Sequence, residues 1–232
     1  MIISGLQKTT LIDYPGKIAA IVFTRGCNFR CRYCHNPELV DPEVYYPEIS
    51  QEKIIDFLEK RRNVLEGVVI TGGEPLIHSD IKDFLKKLRG LDYAVKLDTN
   101  GSNPVLLKEL IAEKLIDYIA MDLKHLPERY HEITPSQPDI KKIKQSIAVI
   151  KKSGLPYEFR TTVLPRFFKK EDFEKIGKLL KGVKAYYLQQ FRPIKTLDSS
   201  FAEEPSFSEI ELEAFKNILK KYVDKCEIRG IM

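Results

Sequence analysis

Long apolar runs are missing from this 232-residue sequence, and so are the signals that direct a chain out of the cytoplasm. The longest apolar run, residues 18–23, is far too short to cross a bilayer. The first ten residues, MIISGLQKTT, lack the basic flank, the long apolar core and the cleavage site of a signal peptide. We therefore expect a cytoplasmic protein with no membrane partner, in which cysteines stay as reduced thiols.

A strong excess of charge and low-complexity linkers are also missing. Lys and Arg number 38 and Asp and Glu 33, a formal net charge of only +5. Basic clusters such as Lys141, Lys142 and Lys144 lie among apolar residues at helical spacing, which favours solvated helix faces over a nucleic-acid surface. Without a break in composition, we expect one domain over residues 1–232, with a core at about 16–195 and a C-terminal helix and tail at 205–232.

Cysteine is scarce, with four in the chain, but three of the four share one short stretch. These are Cys27, Cys31 and Cys34, whereas Cys226 lies near the C-terminus. A structural zinc ion needs four Cys or His ligands, and His35, which directly follows Cys34, is poorly placed to be the fourth. In an iron–sulfur cube, three thiolates leave one iron open to another molecule. The pattern favours such a cluster, with zinc as the alternative.

Strand-like runs alternate with helical patterns along most of the chain. The six runs are apolar on both faces, as buried parallel strands are, and lie at 18–24, 67–71, 93–98, 117–122, 156–163 and 185–190. Asn103 is a natural cap for one helix, and Ser208 with Glu211 predicts a capping box for a last helix whose apolar positions include Ile210. Repeated strand–helix units indicate a parallel sheet. A doubly wound sheet fits this order, but we predict an α/β fold with an open, partial (β/α)6 barrel.

Most of the unusual polar residues fall where these predicted strands end. The stretches are residues 24–27, 71–75, 98–101, 122–124, 160–163 and 189–190. In parallel α/β folds, ligands bind at the carboxyl ends of the strands, where loops vary without damage to the core. The sequence therefore predicts an active site on this rim.

Several of these stretches resemble one known family. C-x3-C-x2-C with an aromatic residue, Tyr33, before the third cysteine resembles the signature of radical S-adenosylmethionine enzymes, and GGEP at residues 72–75 is similar to their GGE motif. LIDYPGKIAAIVFTRGCNFRCRYCHNPEL, TGGEPL, LDTNG and MDLK resemble the anaerobic ribonucleoside-triphosphate reductase activating proteins, a group of glycyl-radical-enzyme activases. The likeness spans about residues 4–195. After the fourth predicted strand, where short reductase activases end, this chain continues through two more strands and a C-terminal helix, and in this respect it is more similar to pyruvate formate-lyase activating enzymes. It also lacks the extra cysteine clusters that some activases insert after the first motif.

The resemblance implies a [4Fe–4S] cluster on Cys27, Cys31 and Cys34, together with bound S-adenosylmethionine. It implies further contacts to this cofactor from Tyr33, the backbone around His35, Gly72, Gly73, Glu74, Asp122, Lys124, Arg160 and Gln190. The two glycines would admit the methionine end, Glu74 would bind its ammonium group, and Lys124 would bind its carboxylate. Asp98 with Asp122 resembles a site for a monovalent cation. Plainer explanations remain for these residues: a turn, a helix cap or structural ion pairs.

The activity that the resemblance implies is reductive cleavage of S-adenosylmethionine to a 5′-deoxyadenosyl radical. That radical would abstract hydrogen from a glycine of a partner glycyl-radical enzyme, with anaerobic ribonucleoside-triphosphate reductase as the expected partner. Reduced flavodoxin or ferredoxin would be the electron donor. A radical enzyme acting on a small molecule or modified nucleoside is the first alternative. A zinc-stabilised nucleic-acid-binding protein is the second, and the mild net charge disfavours it.

Overall fold

The computed structural model describes residues 1–231, and one eight-stranded sheet runs through them. Its strands are β1 (Ile3–Thr10), β2 (Ala19–Thr24), β3 (Gly67–Gly72), β4 (Ala94–Thr99), β5 (Tyr118–Asp122), β6 (Tyr157–Val163), β7 (Tyr186–Gln190) and β8 (Cys226–Arg229). The spatial order of the strands follows their order in the chain. β1 is antiparallel to β2, and all later neighbours are parallel. Within residues 1–231 no pairing joins β1 to β8, so the sheet stays open, as predicted.

Helices fill the connections between the parallel strands. They are α1 (Pro37–Val40), α2 (Gln51–Glu59), α3 (Ile81–Gly90), α4 (Pro104–Ala112), α5 (Tyr130–Ile133), α6 (Ile140–Lys152), α7 (Lys170–Leu179) and α8 (Glu209–Leu219). Side chains of α3 such as Phe84 and Leu88 are fully buried, because they pack with the outer face of the sheet in the main apolar core. No helix in residues 1–231 has both the length and the apolar character that a membrane span needs.

The two faces of the sheet differ in character. Val68 and Ile70 of β3 join the main core beneath the helices, whereas Val69 belongs to a small second cluster on the opposite face. This second face, which we call the inner face, is plugged by Tyr14 from the loop between β1 and β2. Because side chains alternate along a strand, the residues of β4 that share this face include Lys96. The inner face thus combines a thin apolar layer with buried charges.

The six predicted parallel strands are confirmed to within one residue at each end. Two strands, β1 and β8, are not predicted from the sequence. β8 is a seventh parallel strand, whereas β1 is antiparallel to its neighbour. β1, with the sequence ISGLQKTT, is an edge strand with several exposed polar residues, and this weakens the apolar signal. β8 has only four residues, too few for a periodic pattern.

The predicted helix caps are confirmed. The Asn103 side chain accepts a hydrogen bond from the Leu106 amide (3.2 Å) at the start of α4. Ser208 and Glu211 form both bonds of a capping box at the start of α8. The interpretation of Ile210 as part of the apolar face is wrong, since it is 83% exposed. Instead, α8 buries Leu212, Phe215 and Leu219.

Candidate functional site

The carboxyl ends of β2 to β7 surround one cavity, which collects nearly all of the predicted site residues. Its lining comprises Cys27, Phe29, Cys31, Tyr33, Cys34, His35, Asn36, Val40, Thr71, Gly72, Gly73, Glu74, Asp98, Thr99, Asn100, Asp122, Lys124, Arg160, Thr162 and Gln189. Six separate strand ends contribute, so the rim exists only in the folded sheet. The predicted rim is therefore where the structure gathers polar side chains.

The cysteine loop that follows β2 is held by backbone bonds to three distant segments. The Gly26 amide donates to the Leu39 carbonyl (2.7 Å), and the Arg32 amide donates to the Ile133 carbonyl (3.2 Å). On the other side, the Leu197 amide donates to the Cys34 carbonyl (2.9 Å). These bonds fix a segment that has little regular structure of its own.

All three cysteines of this loop are free thiols that line the cavity. Burial, reinforced by the Glu74 carboxylate, raises the pKa of Cys27 to about 12, and burial raises the pKa of Cys31 to about 11. The Phe29 amide nevertheless donates to the Cys27 sulfur (3.3 Å), a contact that favours the thiolate. Within residues 1–231, no three Cys, His, Asp or Glu side chains are gathered closely enough to hold a single metal ion.

Gly73 sits where the loop after β3 touches the cysteine loop. A Cβ atom on Gly73 would lie 1.9 Å from the Gly26 carbonyl oxygen and 3.1 Å from that of Leu39. The Glu74 amide donates to the same Gly26 carbonyl (2.8 Å). The close approach of two backbones therefore requires a glycine here, whether or not it also leaves the predicted room for the methionine end.

Gly72 is required for a related reason. Its φ of 116° lies in the region that side chains with a Cβ rarely adopt. A Cβ there would also lie 2.4 Å from the Thr24 carbonyl oxygen. Both glycines line the cavity, and both fix the position of the loop that carries Glu74.

Glu74 is fully buried and ties the loop after β3 to the loop after β4. Its Oε1 accepts hydrogen bonds from the Thr99 hydroxyl (2.7 Å) and the Leu76 amide (3.1 Å), and its Oε2 accepts one from the Asn100 amide (2.6 Å). Burial raises its pKa to about 7, although these donors oppose the shift. An ionised carboxylate has about four acceptor positions, so one remains for a ligand cation.

The acidic residues of the rim are already paired with basic ones. Arg160 donates from Nε to Asp122 (2.6 Å) and from Nη2 to Asp98 (3.0 Å), so its guanidinium bridges the two carboxylates. Lys124 lies 3.5 Å from Asp122, and Lys96 donates to Asp98 (2.5 Å). Burial favours the neutral acids, but the charge of Arg160, together with that of Lys96 at Asp98 and Lys124 at Asp122, outweighs it and holds the pKa of both acids below the usual range.

Two aromatic side chains line the cavity near the third cysteine. The Tyr33 ring packs between Phe167 and Phe191, at centroid distances of 6.2 and 6.3 Å. Its buried hydroxyl finds no hydrogen-bond partner among the residues that the structure describes. His35 stacks on Phe191 and places Nε2 2.9 Å from the Arg192 carbonyl oxygen. Both side chains line the cavity, and their contact with a bound cofactor stays a prediction.

One predicted site residue lies elsewhere. The Gln190 side chain donates to the Phe207 carbonyl (2.8 Å) and does not line the cavity that holds the other predicted contacts. Its neighbour Gln189 lines the cavity instead, because adjacent residues of a strand face opposite sides. Thr99 and Asn100 were also missed as site residues, although they belong to the LDTNG stretch at the end of β4.

Comparison with known proteins assigns a family to this fold and site. The sequence model of the Radical SAM superfamily matches residues 21–180, more than half of the chain. The chain therefore belongs to the radical S-adenosylmethionine superfamily. Within it, the chain belongs to the group of glycyl-radical enzyme activating enzymes, as the next comparisons show.

Two relatives carry this assignment. A protein of Methanocaldococcus jannaschii named "Putative glycyl-radical enzyme activating enzyme" is 37% identical over 238 residues, which cover 99% of this chain and 96% of the relative. The pyruvate formate-lyase-activating enzyme of Clostridium pasteurianum is 24% identical over 201 residues, which cover 84% of this chain and 82% of that enzyme.

Solved structures share the fold. SuiB of Streptococcus suis bound to S-adenosylmethionine has a TM-score of 0.68 and 14% identity, covering 90% of this chain and 52% of SuiB, so this chain spans about half of its length. A domain of pyruvate-formate lyase-activating enzyme from Bacteroides vulgatus has a TM-score of 0.56 and 20% identity, covering 71% of this chain and 99% of the domain.

The superfamily uses a [4Fe–4S] cluster and S-adenosylmethionine, and these are the cofactors of this chain. The rim fits both groups. Three free thiols, with an amide donating to one sulfur, are the donor set of such a cluster. The buried hydroxyl of Tyr33 and the remaining acceptor position of Glu74 are polar atoms that a bound ligand would satisfy. A monovalent cation fits poorly, because Asp98 and Asp122 are already bonded to cationic side chains.

Proposed function

We propose that this protein abstracts a hydrogen atom from a glycine of anaerobic ribonucleoside-triphosphate reductase, with a 5′-deoxyadenosyl radical as the abstracting species. The similarity to the M. jannaschii protein over nearly the whole of both chains supports a glycyl-radical enzyme as the substrate. The stretches TGGEPL and LDTNG, which resemble those of the reductase activating proteins, support the particular partner. The three thiols on the rim of an open sheet are the observation that carries the proposal.

The cysteines are the proposed cluster ligands. When bound, the cluster supplies the single electron that divides S-adenosylmethionine into methionine and the 5′-deoxyadenosyl radical. Binding requires thiolates, and because burial raises the thiol pKa values, binding of the cluster would release protons. The donated bond from Phe29 then stabilises the ligand sulfur of Cys27.

The charged residues of the rim are the proposed contacts of S-adenosylmethionine. The free acceptor position of Glu74 takes the ammonium group of the methionine end, and the Lys124 ammonium takes its carboxylate. Lys124 keeps donors for this bond, because within residues 1–231 its ammonium has one carboxylate within 4 Å, that of Asp122 at 3.5 Å. Tyr33 and His35 lie along the adenine, and the orphaned Tyr33 hydroxyl gains a partner there.

The open edge of the sheet is the proposed entrance for the substrate glycine. A second cavity lies along β1, lined in part by Gly5 and Leu6, and it shares His35 and Asn36 with the first cavity. A protein loop that follows this path reaches the rim from the side of β1. Glycine suits such a target because it has no side chain to obstruct the approach to its Cα hydrogens.

The proposed electron donor is reduced flavodoxin or ferredoxin. Arg32 is exposed on the cysteine loop itself, and Arg30 lies beside it, half-buried. An acidic one-electron carrier is attracted to such basic residues, which raises the rate of encounter and falls with salt.

Electron paramagnetic resonance tests this function directly. The reduced, cluster-loaded protein is mixed without oxygen with the anaerobic ribonucleotide reductase of the same cell. We expect a glycine-centred doublet that requires S-adenosylmethionine and is lost in Cys31→Ala. Cys226→Ala is the matched control and should give the full signal, since Cys226 is buried in β8 away from the rim.

A different result identifies the alternative function. If no glycyl-radical enzyme of the host yields the doublet, while a small metabolite or nucleoside consumes the radical stoichiometrically, the glycyl-radical proposal is wrong.

A further inference from the structure

A buried lysine stands beside the rim and has no part in the function described so far. The Lys96 side chain is 2% exposed and lies on the inner face of β4, two residues before Asp98. Its ammonium donates to Oδ1 of Asp98 (2.5 Å) and lies 5.9 Å from the centre of the Tyr118 ring. A lysine is almost never fully buried unless it is paired, because burial of an unpaired ammonium group is costly. The burial of Lys96 therefore depends on its contact with Asp98.

The pairing leaves no carboxylate oxygen of Asp98 or Asp122 without a cationic neighbour. Oδ2 of Asp98 accepts from Arg160 (3.0 Å), and Oδ1 of Asp122 accepts from the same guanidinium (2.6 Å). Oδ2 of Asp122 has both Arg160 (3.4 Å) and Lys124 (3.5 Å) beside it. Two negative charges thus face three positive ones, Lys96, Arg160 and Lys124.

This arrangement argues against a metal cation at the same place. Hard cations such as Na⁺ and K⁺ bind to oxygen ligands, and each carboxylate oxygen they would use already accepts a charge-assisted bond. A further positive charge would also be repelled by the ammonium and the guanidinium. The site that the sequence predicted for a monovalent cation is therefore filled from within the chain.

We propose that Lys96 is a tethered counter-cation that takes the place of a monovalent metal ion beside S-adenosylmethionine. It acts as a positioning residue: it neutralises Asp98, so that Arg160 and Asp122 keep the orientation in which Lys124 faces the cofactor. Binding of S-adenosylmethionine is then independent of Na⁺ and K⁺. The part of the proposal that concerns the cofactor rests on the residue roles proposed above, whereas the part that concerns Asp98 rests on the contacts alone.

The first test uses the cluster-free protein, so it does not depend on any activity. Thermal unfolding is measured in KCl, in NaCl and in choline chloride at equal ionic strength, and the wild type should unfold at the same temperature in all three. Lys96→Met should lower the melting temperature in choline by about 10 °C, because it leaves Oδ1 of the buried Asp98 carboxylate without its cationic partner. KCl or NaCl should restore part of that loss by supplying a cation to Asp98.

Two further variants isolate the charge. Lys96→Met/Asp98→Asn removes both partners and should lose the response to K⁺ and Na⁺. Lys108→Met removes an exposed lysine of α4 and should behave as the wild type. A Lys96→Met protein that is as stable in choline as in KCl, and as stable as the wild type, would refute the counter-cation role.

The second test measures the affinity for S-adenosylmethionine by calorimetry on the anaerobically reconstituted protein. The wild-type Kd should change less than about twofold between choline chloride and KCl, whereas the Kd of Lys96→Met should be weaker by about tenfold in choline and recover in KCl. If the wild type itself binds about tenfold more tightly in KCl than in choline, the proposal falls, even where the variant does not fold. Cation-independent binding by a protein that forms no glycyl radical would retain this inference and reject the proposed partner.

Discussion

Replacement of Gly73 by alanine should disrupt the cysteine loop rather than the cavity. The added Cβ would stand 1.9 Å from the Gly26 carbonyl oxygen and 2.6 Å from its carbon, and both atoms belong to backbone. An ordinary contact needs more than 3.4 Å, so the two loops must separate by over an ångström. No side chain can rotate away to relieve this contact.

The size of the effect follows from the bonds that the separation breaks. The Glu74 amide bonds to the Gly26 carbonyl (2.8 Å), and the Gly26 amide bonds to the Leu39 carbonyl (2.7 Å). Loss of two such bonds costs about 2 kcal/mol, and overpacking adds about 1 kcal/mol or more. We expect Gly73→Ala to lower the free energy of unfolding by about 3 kcal/mol and to prevent full loading of the cluster.

Urea unfolding and iron content measure the two effects in one preparation. Gly90→Ala is the matched control: it adds the same methyl group near the end of α3, where nothing lies within 4 Å of the new atom. That variant should be neutral or more stable by about 0.5 kcal/mol, with normal iron. A Gly73→Ala protein with wild-type stability and full iron content would show that the close approach of the two loops is not needed.

Three other predictions follow from single residues. Anaerobic reconstitution should load about four irons per chain, Cys31→Ala should abolish this loading, and Cys226→Ala should preserve it, as iron analysis will show. Burial raises the pKa of Glu74 from 4.5 to about 7, so the folded state holds a proton there that the unfolded chain loses. The contribution of this proton to the free energy of unfolding is fully present below pH 4.5 and falls by about 3 kcal/mol as the pH rises from 4.5 through 7. Urea unfolding of the cluster-free Glu74→Gln protein should therefore show a flatter dependence of stability on pH than the wild type. Ser208→Ala should cost about 1 kcal/mol in the same assay, because it removes the capping box of α8.

The rim could be predicted from the sequence because one general rule governs it. Parallel strands end at a common edge, and polar residues after apolar runs mark those ends whatever the family. The rule does not fix which of two neighbouring residues faces the cavity. In the run AYYLQQ no alternation of polar and apolar residues shows which side chains share a face, so the sequence does not distinguish Gln190 from Gln189, which lines the cavity.

Contacts between loops and between non-adjacent strands could not be predicted from the sequence. The reason for Gly73 depends on the direction of its absent Cβ, which only the folded approach to Gly26 reveals. The partnership of Asp98 with Arg160 joins residues 62 positions apart and needs the register of β4, β5 and β6. Lys96 lies within the predicted strand 93–98, but the alternation of side chains along a strand does not say which face is the inner one, so its burial does not follow from the sequence.

The short final strand, β8, carries a counterion for a buried charge of the inner face. Glu158 of β6 is 1% exposed, and below the rim it would be an uncompensated negative charge. Arg229 of β8 reaches across β7 and donates two hydrogen bonds to the Glu158 carboxylate (2.6 and 2.8 Å). Its guanidinium lies 3.5 Å from the centre of the Tyr187 ring. The inner face thus repeats one solution at two levels: a buried carboxylate on one strand is neutralised by a basic side chain on another. A six-stranded barrel would supply this counterion for Asp98 but not for Glu158, and this accounts for a sheet that continues past β7 to a strand of only four residues.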